Sequence, residues 1–186
     1  DVPLCTLLLR PEHTDLFTAT PTTATLTPND DQRLWGTTSL QVTAATQIDV
    51  TLPAPADLSR ARALLIAVQN PAAAPLVVRL TDSAVVPAHI DLTGATTTTL
   101  TTPTGTWQIL RFALPQAGAF NWSAVTTLTY RTLSASATYT FGAALVEANL
   151  AKDLVVMGGD GSAAGAGRFP PRGGSPRAPR PGTTRP

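Results

Sequence analysis

The sequence predicts an all-β fold, an antiparallel β-sandwich or jelly roll, with a Pro/Gly/Arg-rich extended C-terminal tail. Three observations predict it. About ten short segments with strand-like alternation or β-branched enrichment recur along the chain, separated by turn residues. Thr is unusually common, 31 of 186 residues, and its branched Cβ suits a pleated strand. The 17 prolines argue against long helices and for many loops.

The clearest stretch is residues 105–146, which read as three strands joined by a loop and a turn. In TWQILRFAL, Trp107, Ile109, Arg111 and Ala113 share one face, while Gln108, Leu110, Phe112 and Leu114 share the other. VTTLTYRTL and ATYTFGAALV are rich in β-branched and aromatic residues. The loop at 115–122 carries Pro, Gly and Asn, which punctuate strands.

The remaining elements follow in order. DVPLCTLLLR offers a short apolar strand, and PEHTDLFTATPTTATLTPNDDQ two more with a turn at Pro28-Asn29-Asp30-Asp31. Residues 39–43 and 47–52 alternate around Ala-Ala-Thr and read as a hairpin-like pair. Residues 63–69 and 76–81 read as strands split by the turn signal Asn70-Pro71, and Asp57 as the N-cap of one helical turn over DLSR. The Thr run of 88–105 reads as one or two exposed strands meeting at Gly94, and ANLAKDLVVM as either a short helix or a last strand. No repeat of ~20–50 residues suggests a solenoid or propeller. The domain therefore spans 1–157. Residues 158–186 hold Phe169 as their only large apolar side chain, too little buried surface to offset the entropy of ordering them.

The net charge of +1 hides an asymmetry. The tail has five arginines against Asp160, a net +4, which leaves −3 for the rest. Cys5 is alone, excludes an intrachain disulfide and reads as a small buried hydrophobe. No apolar run approaches the ~18 residues of a membrane span, so no membrane partner is expected, and no signal-peptide pattern is seen.

Catalytic chemistry finds no foothold. G-x-S-x-G, H-E-x-x-H and the P-loop are missing, and Glu12, Asp15, Asp49 and Asp91 are scattered, so the chain reads as no enzyme and needs no cofactor. His13 and His89 are far apart. Asp30, Asp31 and Asp82 read as turn residues accepting backbone hydrogen bonds rather than as calcium ligands.

Three segments resemble the galactose-binding-like jelly-roll modules found as carbohydrate-binding modules and as accessory domains of phage structural proteins. They are WGTTSLQV at 35–42, DLSRARALLIAVQ at 57–69, and GTWQILRFAL with FNWSAVTTLTYRT and YTFGAALV at 105–146. The resemblance covers about residues 17–147 and implies the jelly-roll fold. Gly142 and Ala143 stand where many such modules have an acidic residue, so the calcium site some of them possess does not carry over.

Two functions are consistent with this resemblance. The first is a non-catalytic structural protein of a larger assembly, a phage virion component such as a head-decoration, tail or fibre protein. It would form homo-oligomers with other subunits through the arm residues Arg168, Phe169, Arg172, Arg177, Arg180 and Arg185. The alternative is a carbohydrate-binding or adhesion module, extracellular or at a cell surface, tethered by a Pro/Arg-rich linker. Trp35, Trp107 and Trp122 fall inside structural motifs and read as packing residues. A glycan site would then lie on the loop at Phe120, Asn121 and Trp122. Asn121-Trp122-Ser123 matches an N-glycosylation acceptor but reads as structural. Arginines interleaved with Pro and Gly read as a solvated linker or extended arm rather than a nucleic-acid surface.

Overall fold

The computed structural model describes residues 5–32, 34–35, 37–69, 75–116 and 118–148. The expected domain end at 157, the turn signal Asn70-Pro71, all of ANLAKDLVVM except Ala148 and the arm residues Arg168 to Arg185 lie outside them.

Twelve strands appear among the described residues: β1 Cys5–Leu9, β2 Phe17–Thr20, β3 Thr25–Asn29, β4 Ser39–Thr43, β5 Gln47–Ala56, β6 Ala61–Gln69, β7 Val77–Asp82, β8 His89–Leu92, β9 Thr96–Thr102, β10 Gly105–Ala113, β11 Val125–Arg131 and β12 Thr138–Ala148. One 3-10 turn, Thr14–Leu16, precedes β2. The strands form two antiparallel sheets. A seven-stranded sheet runs β3-β4-β12-β6-β10-β9, with β1 also pairing β12, and a five-stranded sheet runs β2-β5-β11-β7-β8.

The core lies between the sheets because each strand's alternation sends one set of side chains inward. Leu40, Val42, Leu64, Ile66, Val68, Leu110, Phe112, Tyr139 and Phe141 come from one sheet. Ile48, Val50, Val78, Leu80, Leu128 and Tyr130 come from the other. The rings of Tyr130 and Phe141 stack across the gap at 4.6 Å. Burial pushes the Tyr130 phenol well above its usual pKa.

Two expectations about local structure are corrected. The pair at 39–43 and 47–52 is no hairpin: β4 belongs to the seven-stranded sheet and β5 to the five-stranded one. The chain crosses at 44–46, where Ala44 takes a left-handed φ of 62°. Asp57 caps no helix, because only four residues separate β5 from β6. Its Oδ1 instead accepts the Ser59 N–H at 2.9 Å within a tight turn. The Thr run is two strands, β8 and β9, in different sheets, with Gly94 at φ 67° between them.

Candidate functional site

The outer face of the five-stranded sheet is built from the polar half of each strand's alternation. In β5, Ile48, Val50 and Leu52 face the core, so Gln47, Asp49 and Thr51 face out. In β7 and β11 the same logic turns Arg79, Thr81, Thr127, Thr129 and Arg131 outward. Strand register then aligns them into rows. One runs Thr18, Asp49, Thr129, Arg79, Asp91 across all five strands, and a second runs Thr51, Thr127, Thr81, His89.

Hydrogen bonds hold these side chains in place. Thr129 Oγ1 donates to Asp49 Oδ1 at 2.7 Å, and the Gln47 amide donates to both oxygens of Asp49 at 3.2 and 3.0 Å. Arg79 grips Asp91 with two bonds, 2.7 and 3.0 Å, and Arg131 reaches the same carboxylate at 3.4 Å. Thr81 Oγ1 lies 2.9 Å from His89 Nδ1. The Arg79 bond holds the Asp91 carboxyl below its usual pKa, against the opposing effect of partial burial. Asp49 and Asp91 sit three strands apart in their row, about 14 Å at roughly 4.8 Å per strand. That exceeds the roughly 5–9.5 Å of a glycosidase acid/base pair, so the arrangement can bind hydroxyls but cannot split a glycosidic bond between these two groups.

The outer face of the seven-stranded sheet has a different character. Trp107 is fully buried there, on the side of β10 opposite Leu110 and Phe112. It packs over Gly142, whose position would bring an added Cβ to 3.4 Å from the ring and 2.9 Å from the Leu34 carbonyl oxygen. So a segment beyond β3 covers the tryptophan, and a glycine lets it approach. A second row on this face runs Leu7, Leu145, Leu65, Arg111. Arg111 makes two bonds to Glu147, 2.8 and 3.2 Å, and these lower the pKa of that mostly buried carboxyl.

The residues singled out in the sequence separate. Phe120 and Trp122 are buried in the core cluster, their rings edge to face at 4.8 Å, and Asn121 between them is exposed. The Asn121 side chain accepts from Ser123 N and Ser123 Oγ, closing its own turn. Asp82, 2% exposed, accepts from the backbone N–H of Ala84, Ala88 and Asn121. These bonds, Asn121 foremost, lower its pKa, and they tie the 83–88 loop to the 120–122 loop. At the tip of the 83–88 loop Val85 and Val86 stand exposed. Cys5, expected to be buried, is exposed, because its register opposite Glu147 puts it on the outer face.

Trp35 departs most from its packing role. It is half-buried, and its φ of 60° is left-handed, which costs an L-residue with a bulky side chain on the order of 1–2 kcal/mol. The polar rows were also missed. Their alternation is written in β5, β7 and β11, but only the strand order brings them together.

No protein-family model matches the chain, and no curated protein matches it in sequence. Solved structures match in fold. A family 30 carbohydrate-binding module aligns with a TM-score of 0.54 at 16% identity, over 78% of this chain and 99% of its own. The family 11 module of the cellulosomal cellulase Lic26A-Cel5E of Clostridium thermocellum aligns with a TM-score of 0.51 at 10% identity, over 80% and 97%. A family 11 module from the same organism, in complex with a β-1,3-1,4-mixed-linked tetrasaccharide, gives 0.50 at 10%, over 80% and 97%. The chain thus has the jelly-roll sandwich fold of these carbohydrate-binding modules, the fold its sequence resemblance implied.

Proposed function

We propose that this chain is a non-catalytic carbohydrate-binding module whose glycan surface is the outer face of the five-stranded sheet. The observation that carries this reading is the row Thr18, Asp49, Thr129, Arg79, Asp91, which crosses every strand of that sheet. Sugar hydroxyls both donate and accept. The row offers carboxylate acceptors, a guanidinium with five donors of which two go to Asp91, and the exposed Thr18 hydroxyl, which can do either, while the buried Thr129 hydroxyl serves to hold Asp49. Because Gln47, Thr129 and Arg79 already hold the two carboxylates, little side-chain freedom is left to lose on binding.

Four strand spacings make the row about 19 Å long, which suits an oligosaccharide better than one sugar. No aromatic ring lies in the row, so affinity comes from hydrogen bonds worth about 0.5–1.5 kcal/mol each. A handful of these gives millimolar to micromolar binding. The fold likeness supports the glycan reading over the virion-assembly reading, which drew on the packing placement of the aromatics, the Thr-rich faces and the long tail. With it go an extracellular or cell-surface location and a linker role for residues 158–186.

Calorimetric titration with a β-1,3-1,4-mixed-linked tetrasaccharide and a panel of soluble oligosaccharides tests the proposal. Binding by at least one, weakened about tenfold by Arg79→Ala or Asp49→Asn, is the expected result. Binding that neither substitution changes would place the site elsewhere, and a panel without any binder would sink the reading.

A further inference from the structure

Among the described residues every Phe and Tyr, and every Trp apart from Trp35, is buried. Trp35 is also held in a left-handed backbone conformation. Strain of this kind at a bulky residue persists where the surroundings impose it, and it concentrates at binding sites. What surrounds Trp35 is a pocket of about 210 Å³ lined by Leu7, Arg10, Pro11, Glu12, Trp35 and Thr37. It lies on the seven-stranded side of the molecule, since Leu7 of β1 is 40% exposed there while Leu8 packs on the core.

The lining combines apolar and charged surface in one small volume. Glu12 is oriented by Thr37: its Oε1 accepts both the Thr37 N–H at 3.3 Å and the Thr37 hydroxyl. Its Oε2 lies 3.9 Å from Arg10 Nη1, near enough for attraction but too far for a direct hydrogen bond. A carboxylate oxygen and a guanidinium spaced this way match two neighbouring hydroxyls, one donating to Glu12 and the next accepting from Arg10. Leu7, Pro11 and Trp35 supply apolar surface for the C–H face of a sugar ring. The volume is below the roughly 300–1,000 Å³ of sites for larger ligands, so it suits one ring and excludes a chain threading through.

We infer that this pocket is a second glycan site, separate from the polar row, which takes a single terminal pyranose through a vicinal diol. The inference rests on the glycan-binding reading above, and its test keeps the two apart.

The probes are methyl glycosides of glucose, galactose, mannose and xylose, titrated into the isotopically labelled full chain and followed by NMR. The expected result is a saturable shift of the Trp35 indole N–H and the Thr37 amide with at least one glycoside. Glu12→Gln should weaken that binding about tenfold, the usual loss for one charge-assisted hydrogen bond. Trp35→Gly should abolish it, and because glycine relieves the left-handed strain, part of the stability lost with the half-buried ring should be recovered, so the protein should stay folded. Arg79→Ala, on the other face, should leave it unchanged. Shifts confined to the five-stranded face would overturn the pocket and spare the module reading. No shift at Trp35 and Thr37 with any glycoside at tens of millimolar would overturn it too, as would binding that survives both Glu12→Gln and Trp35→Gly.

Discussion

The two outer faces of the sandwich start from the same pleated geometry and end differently. On the seven-stranded face, Trp107 is fully buried beneath the segment carrying Leu34, and Glu147 is locked to Arg111. On the five-stranded face, polar side chains are fixed by one another, and Asp91, Arg79 and Arg131 each keep about a third of their surface in solvent. One face contributes to stability by burying what it carries. The other gives up burial to keep donors and acceptors available. Outside the pocket at Trp35, substitutions on the first should therefore cost folding, and those on the second should cost binding.

Trp107→Ala should have the largest effect. It removes a fully buried indole and leaves a cavity over Gly142, a loss of about 3–5 kcal/mol readable by denaturant unfolding. Gly142→Ala should follow at about 1–3 kcal/mol, because its Cβ would meet the Leu34 carbonyl, a backbone atom that cannot swing aside. Glu147→Gln belongs in the same range. Removing one partner of a buried pair costs several kcal/mol, but Arg111 is a third exposed, so solvent screens part of the loss.

Acid should weaken the fold through both faces. Glu147, Asp82 and Asp91 all have folded pKa values below their ordinary ones. Their stabilisation is therefore complete above the unfolded pKa of about 4, and it is lost as pH falls through the lower folded values. A melting temperature that stayed level from neutral pH down through that window would contradict these assignments. Glu147→Gln should flatten part of the slope.

The comparison is sharpest at Arg79→Ala. Stability should move by less than about 1 kcal/mol while glycan affinity falls. If this substitution destabilised the protein as much as Trp107→Ala, the two faces would not differ in kind. The smallest effect is expected at Val85→Ser, about 0.5 kcal/mol or less, since that side chain is fully exposed at its loop tip.

Much of this was legible in the sequence, and the rest was not, for a physical reason. Alternation within one strand is local, so the inward set Leu110 and Phe112 and the turn at Gly94 could be read directly. Which strands become neighbours depends on long-range pairing. That is why β4 and β5 read as a hairpin although they lie in different sheets, and why Asp49, Thr129 and Arg79 gave no sign of forming one row. The Trp residues show the same limit. Trp107 and Trp122 are buried as their motifs suggested, whereas Trp35 is only half-buried and takes a left-handed backbone angle that no residue pattern announces.

The position of β12 has a mechanical consequence. Along one edge it pairs first with β4, through Thr138 to Phe141, and then with β1, through Ala144 to Glu147. Its other edge is held by β6 over most of its length. A pull along this strand from its C-terminal end therefore loads all three ladders side by side, in shear, instead of opening them one bond after another. Were the domain to grip a polymer with its opposite sheet, as proposed above, a load applied at that end would meet this shear arrangement first. Single-molecule stretching from the C-terminal end should record one high-force rupture; a staircase of small early steps would mean that β12 peels.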